Sequence, residues 1–147
     1  MVIFEIQQNS DTTYRVFDWN RVGLDGKPRA LHIEESLQSI DFEDFEPELA
    51  RPQAQPGQVQ LVSLVADPLF SVELAQLRGG GTLSFRPGKM QIVGMVSGRS
   101  RVHCGSEELT LVAGQFCLIP AGLGGMVLRA QDSVSCLCVR AGEGSMP

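Results

Sequence analysis

The sequence predicts a mainly β protein, an antiparallel sandwich or barrel with one helix near its N-terminus. Three observations predict it. Between Val59 and Val139, nine short apolar or alternating runs are separated by glycine and proline. Only one stretch, Ala30 to Ile40, carries apolar residues at helical spacing. The composition is globular: 147 residues, 43% hydrophobic and 20% charged, with enough apolar mass for one sizeable core.

Taken in order, Val2–Ile6 is β-branched or aromatic at four of five positions and is expected to form a strand. Asn9-Ser10-Asp11 has turn chemistry, and Thr12 to Trp19 is expected to be extended. Asp25-Gly26-Lys27-Pro28 is a turn that also starts a helix, since proline suits the first helical turn. Ala30, Ile33, Leu37 and Ile40 then give one apolar face over about three turns. An acidic run, Asp41 to Glu48, and the prolines 47, 52 and 56 follow; prolines at this density break helices and leave a solvated connector. The nine expected strands are Val59–Val65, Phe70–Leu77, Thr82–Phe85, Met90–Val96, Arg101–Cys104, Leu109–Val112, Phe116–Ile119, Met126–Arg129 and Ser133–Val139. Turns are expected at Asp67-Pro68, Gly79-Gly80-Gly81, Pro87-Gly88, Ser97-Gly98, Cys104-Gly105, Ala113-Gly114 and Pro120-Ala121-Gly122.

Charge and inventory narrow the function. The net charge is −5, which argues against nucleic acid as a partner. Residues 1–50 hold 11 acids and 4 bases, whereas residues 51–147 hold 6 acids and 8 bases. No apolar run approaches the ~18 residues a bilayer span needs, so no membrane partner is expected. The N-terminus lacks the basic start of an export signal; with reduced thiols, that points to the cytoplasm. The 2 histidines and 4 cysteines are few for a metal site. His32 is expected to be an ordinary helical residue. His103 and Cys104 are strand neighbours facing opposite sides. Cys136 and Cys138 share one strand face too close in sequence for an easy disulfide, and with Cys117 are expected to be buried small hydrophobes.

Gly114-Gln115-Phe116-Cys117-Leu118-Ile119-Pro120-Ala121-Gly122 resembles the second motif of the cupins, small double-stranded jelly rolls. Gln91-Ile92-Val93-Gly94-Met95-Val96-Ser97-Gly98 looks like the end of the first cupin motif, with Gly98 in a hairpin turn. The resemblance implies four metal-ligand positions, and these fall at or within a residue of Ser84, Arg86, Gln91 and Gly125. A hydroxyl, a guanidinium, a carboxamide and a glycine do not suit a divalent transition metal, so a metal-free barrel is expected and no cofactor is assigned to this chain.

Glu5-Ile6-Gln7-Gln8-Asn9-Ser10-Asp11-Thr12-Thr13-Tyr14-Arg15-Val16-Phe17-Asp18-Trp19, Gly26-Lys27-Pro28-Arg29 and Leu31-His32-Ile33 closely resemble the type I mannose-6-phosphate isomerases, in particular their shorter bacterial form. The resemblance implies a zinc-dependent aldose–ketose isomerase with a catalytic cupin followed by a metal-free one. It implies that Arg15 is the active-site arginine. Arginine is an always-charged fork donor suited to phosphate or an enediolate; read without the resemblance, Arg15 is equally a salt-bridge partner of Asp11 or Asp18. The family's zinc ligands would lie before Met1, so the chain alone is expected to be inactive. Residues 1–54 then correspond to the last strands of the catalytic cupin with a connecting helix and linker, and residues 55–147 to the accessory barrel. The alternative is a standalone metal-free cupin that binds a sugar phosphate through Arg15 with Arg86, Arg99 and Arg101, or that serves oligomerisation. An orphan edge strand at Val2–Ile6 would favour a homodimer formed by strand exchange.

Overall fold

The computed structural model describes residues 3–7, 12–44, 46, 49–50 and 57–142. The chain divides into two units, Met1–Leu49 and Ala50–Pro147.

The second unit holds nine strands: β1 Val59–Ala66, β2 Phe70–Leu77, β3 Thr82–Phe85, β4 Gln91–Ser97, β5 Arg99–Cys104, β6 Glu107–Val112, β7 Phe116–Ile119, β8 Met126–Ala130 and β9 Val134–Ala141. They form two antiparallel sheets, in the orders β1-β2-β9-β4-β7 and β3-β8-β5-β6. This is the mainly β, cupin-like jelly roll expected from the sequence, with every strand within two residues of its expected ends. Alternation drives the fold. Val134, Cys136 and Cys138 on β9 are buried, as are Val93 and Met95 on β4. The register pairs Val93 with Cys138 and Met95 with Cys136. Ile119 of β7 adds to this sheet's side, and Leu83, Phe85, Val102, Leu111, Met126 and Leu128 join the core from the strands of the other sheet. Each such side chain removed from water stabilises the fold by roughly 1.5–3 kcal/mol.

The turn between β4 and β5 is made by Gly98, whose φ is +79°. A Cβ there would collide with the Ser133 carbonyl oxygen and come within 2.7 Å of Asp132 Oδ1. That carboxylate is already committed, accepting the Arg99 N–H at 2.8 Å.

The first unit departs from several expectations. Val2 lies outside the described residues, and Ile3–Gln7 forms no strand. Thr12–Trp19 forms no strand either, and Trp19 and Asn20 adopt left-handed φ values of 48° and 53°. The helix is shorter and starts later than the apolar spacing suggests: α1 spans Ile33–Ser39, seven residues. Pro28 does not open it, because Pro28 is held in a bridge with Val22. The Gly23 N–H donates to the Lys27 carbonyl at 2.8 Å and closes that turn. The chain then runs extended until the His32 N–H donates to the Arg15 carbonyl at 2.8 Å, and the helix can begin only after it. His32 is thus the N-cap rather than a helical residue, without a side-chain cap. Glu34 and Glu35 in the first turn complement the helix dipole. The apolar stripe is there but uncovered, with Ile33, Leu37 and Ile40 all exposed. Much of the acidic and proline-rich connector lies outside the described residues. Among the described residues, no helix is long and apolar enough to cross a membrane.

Candidate functional site

In a jelly roll of this kind, the strand positions that point inward decide what the barrel can hold. On β3 these are Leu83 and Phe85, both buried, whereas Ser84 alternates to the other side. Met126 is the inward residue just after Gly125. The interior is therefore plugged by apolar side chains, and the residues at or beside the four ligand positions do not fit a divalent metal. Among the described residues, no three His, Cys, Asp or Glu side chains gather as a metal set.

Gln91 is the one polar side chain of the four that is buried. Its amide nitrogen donates to the Arg86 carbonyl at 2.9 Å. Its amide oxygen accepts from Arg140 Nε at 3.1 Å, as the direct pairing of Gln91 with Arg140 across β4 and β9 allows. Arg140 Nη1 lies 2.5 Å from Glu73 Oε2. This chain of contacts runs from β2 through β9 to β4; the Arg140 charge offsets the Glu73 carboxylate, whose buried Oε2 accepts no hydrogen bond. At its end lies a cleft of about 450 Å³ lined by Ser84, Arg86, Pro87, Lys89, Gln91 and Arg140. Arg86, Lys89 and Arg140 bring three cations to this barrel mouth, which suits an anion. Arg140, Glu73 and Lys89 escaped the sequence reading. The signal for Arg140 was an arginine continuing the inward alternation of Val134, Cys136 and Cys138, but the expected strand stopped at Val139.

Arg15 belongs to the first unit. Its Nη1 donates to the Ala30 carbonyl at 3.2 Å, and its Nε lies 3.8 Å from Asp18 Oδ1. Its backbone N–H donates to His32 Nδ1 at 3.2 Å, so the His32 ring accepts at that nitrogen. Asp18 is the hub of this cluster. Arg29 grips it from both sides, with Nε donating to Oδ2 at 2.7 Å and Nη2 meeting Oδ1. The hydrogen bond from Arg29 holds the Asp18 carboxyl below its usual pKa, against the opposing effect of burial. Asp18 is therefore an acid beside Arg15, and Arg29 takes the closer grip on it; Asp11 lies outside the described residues. That leaves the Arg15 guanidinium partly free to meet an anion.

The arginines expected to act together do not line one cleft. Arg86 lines the barrel mouth. Arg101 lines a separate cleft with His103, and Arg99 lines neither. His103 Nδ1 lies 3.3 Å from Glu108 Oε2. All four cysteines are free thiols; Cys136 and Cys138 are buried as expected, but Cys117 is only half-buried. The hydrogen bond between Cys136 and Cys138, with burial added, pushes the Cys138 thiol far above its usual range.

The second unit is a cupin-fold domain with an apolar interior and a cationic mouth. The comparisons with known proteins place it more narrowly. The chain is related to mannose-6-phosphate isomerases. It is 33% identical over 121 residues to the mannose-6-phosphate isomerase of Streptococcus mutans, covering 82% of this chain and 37% of that protein. It is 31% identical over 124 residues to the probable mannose-6-phosphate isomerase GmuF of Bacillus subtilis, covering 84% of this chain and 39% of that protein. The chain thus spans well under half the length of the curated relatives it matches. No protein-family model matches it. Among solved structures, the mannose 6-phosphate isomerase of Bacillus subtilis superposes with a TM-score of 0.68 at 19% identity, over 90% of this chain and 41% of that one. KdgF from Halomonas superposes with a TM-score of 0.55 at 15% identity, over 62% of this chain and 86% of that one. At these identities the structural likenesses speak for the fold alone.

Proposed function

We propose that this chain acts as the C-terminal part of a mannose-6-phosphate isomerase, an enzyme that interconverts mannose 6-phosphate and fructose 6-phosphate. The observation that carries the reading is the reach of the sequence match. The 121 matched residues of the Streptococcus mutans relative are more than Ala50–Pro147 contains, so the likeness extends beyond the cupin barrel into the unit that bears Arg15. In this role Arg15 supplies a permanent positive charge to the sugar phosphate or to the enediolate. Ala30, Asp18 and Arg29 position it. The barrel residues do not fit a metal, so the zinc that the resemblance implies would be held by residues outside these 147.

Mixing the chain with the N-terminal portion of the Streptococcus mutans relative and zinc tests this. The chain alone should be nearly inactive, and the mixture should interconvert the two sugar phosphates. Arg15→Ala in the mixture should lower kcat about 10²-fold or more, with Arg15→Lys recovering part of it. A mixture that forms a complex yet stays silent sinks the reading. The cationic mouth favours a second reading, a cupin that binds a sugar phosphate without turnover. Calorimetric binding of mannose 6-phosphate by the lone chain, lost in Arg86→Gln, together with a silent mixture, would select it.

A further inference from the structure

The outer face of the β3-β8-β5-β6 sheet carries an arrangement that sheet stability alone does not explain. Arg101 on β5 stands directly opposite Arg129 on β8. Such facing residues have their Cβ atoms about 5 Å apart, and like charges placed there destabilise a sheet. The flanking residues relieve this only on one side. Glu108 on β6 meets Arg101 Nη1 at 3.1 Å and His103 Nδ1 at 3.3 Å. Glu108 lies beyond β5 from Arg129, and on the far side of Arg129 the register places Thr82 of β3. The two arginines, with His103, line a cleft of about 450 Å³ whose other walls are Gly80, Ala130 and Gln131. Its floor is small or backbone. The Gly80 N–H is already spent on the Ala130 carbonyl at 2.9 Å, and the Gln131 N–H on the Arg99 carbonyl at 2.9 Å. Donors for a ligand must therefore come from the side chains of Arg101, His103, Arg129 and Gln131.

We propose that this outer-face cleft is a binding site for the phosphate group of a small metabolite, gripped between Arg101 and Arg129. Two guanidinium forks match phosphate geometry and carry charge-assisted hydrogen bonds. A bound dianion turns the repulsion between the two strands into a shared attraction, which accounts for an arginine pair held face to face. The cleft volume lies within the range that admits small-molecule ligands, so a phosphate monoester with its organic part fits as well as phosphate itself. The site uses neither Arg15 nor the barrel-mouth cations, so it stands or falls apart from the isomerase reading.

The test is a titration of the full chain, followed by amide chemical shifts, at constant ionic strength. The probes are inorganic phosphate and mannose 6-phosphate, with unphosphorylated mannose as control. Saturable shifts at Gly80, Arg101, Arg129 and Gln131 with both phosphates, and none with mannose, are expected. Equal affinities would assign recognition to the phosphate group alone, and a tighter monoester would add contacts to its organic part. Arg129→Gln should weaken binding about tenfold or more, and Arg129→Lys less so. Because Arg129→Gln removes the like-charge pair, it should also raise Tm without ligand, and phosphate should then raise Tm less than in the unchanged protein. Shifts confined to Ser84–Gln91 and Arg140, no saturable shifts, or an Arg129→Gln variant that binds phosphate unchanged would each overturn the proposal.

Discussion

Asp18 organises the first unit. Its side chain is 10% exposed beside Arg29, and its pKa is lowered, first by the hydrogen bond from Arg29 and then by the charges of Arg29, Arg15 and Arg21. A carboxylate with a depressed folded pKa stabilises the fold fully above its unfolded pKa. That stability is lost as pH falls through the depressed value. Trp19 is the single tryptophan, and it packs edge-on against Phe17 at 5.4 Å beneath the Arg21 guanidinium. Its fluorescence therefore reports on this cluster. An acid titration should show a Trp19 transition centred below 3.8, the ordinary value for this carboxyl. Asp18→Asn should abolish that transition and give, already at neutral pH, the emission of the acid form. A transition with its midpoint above 3.8 would mean that Arg29 does not hold the carboxylate in solution.

Turns decide whether the strands keep their register, and Gly98 is the most constrained of them. Two costs meet in Gly98→Ala: a positive φ and a collision with fixed backbone at Ser133. Together these should destabilise the barrel by about 2 kcal/mol or more, roughly 8 °C or more in Tm. Gly88 offers the control. Its φ is +103°, but nothing lies within 4 Å of a Cβ there, so Gly88→Ala should cost only the backbone strain, about 1 kcal/mol. Equal losses in the two variants would argue against the Gly98 contact. The same contrast shows what could be read in advance. The nine strands were legible because most carry apolar alternation and end at a glycine or proline, β8 ending instead at the turn residues Gln131-Asp132-Ser133. The start of α1 was not. Pro28 suits a helix start, and nothing local reveals that its partner is Val22 or that the His32 N–H is claimed by Arg15. The candidate site divides in the same way. Gln91 and Arg86 could be named from motif spacing, but Arg140 and Glu73 join them only through the pairing of β2, β9 and β4. The pairing of Arg101 with Arg129 likewise exists only once β5 and β8 are neighbours, and no spacing along the chain predicts it.

The two units differ most in what they bury. Every apolar residue of the core belongs to strands of the second unit. In the first unit only Asp18 and Ser36 are buried among the described residues, and both are polar. Phe17, Trp19, Val22, Leu24, Phe42 and Leu49 are all more than half exposed. Seven residues of helix are too few to persist unaided in water, and a segment with no fully buried apolar side chain among the described residues has little to offset its conformational entropy. Stability should therefore be unevenly distributed along the lone chain. Hydrogen exchange should show slow amides in β4, β5, β8 and β9 and fast exchange throughout residues 12–44. A partner that covers the first unit should slow exchange there, around Trp19 and the stripe of Ile33, Leu37 and Ile40, and leave β4 and β9 nearly unchanged. If the N-terminal portion of an isomerase relative produces that pattern, the apolar face is its docking surface. If raising the concentration of the chain alone produces it, along with a doubled mass by light scattering, the cover is a second copy. Protection of residues 12–44 equal to that of β4 and β9 in the dilute lone chain would show that the first unit is stable without any cover.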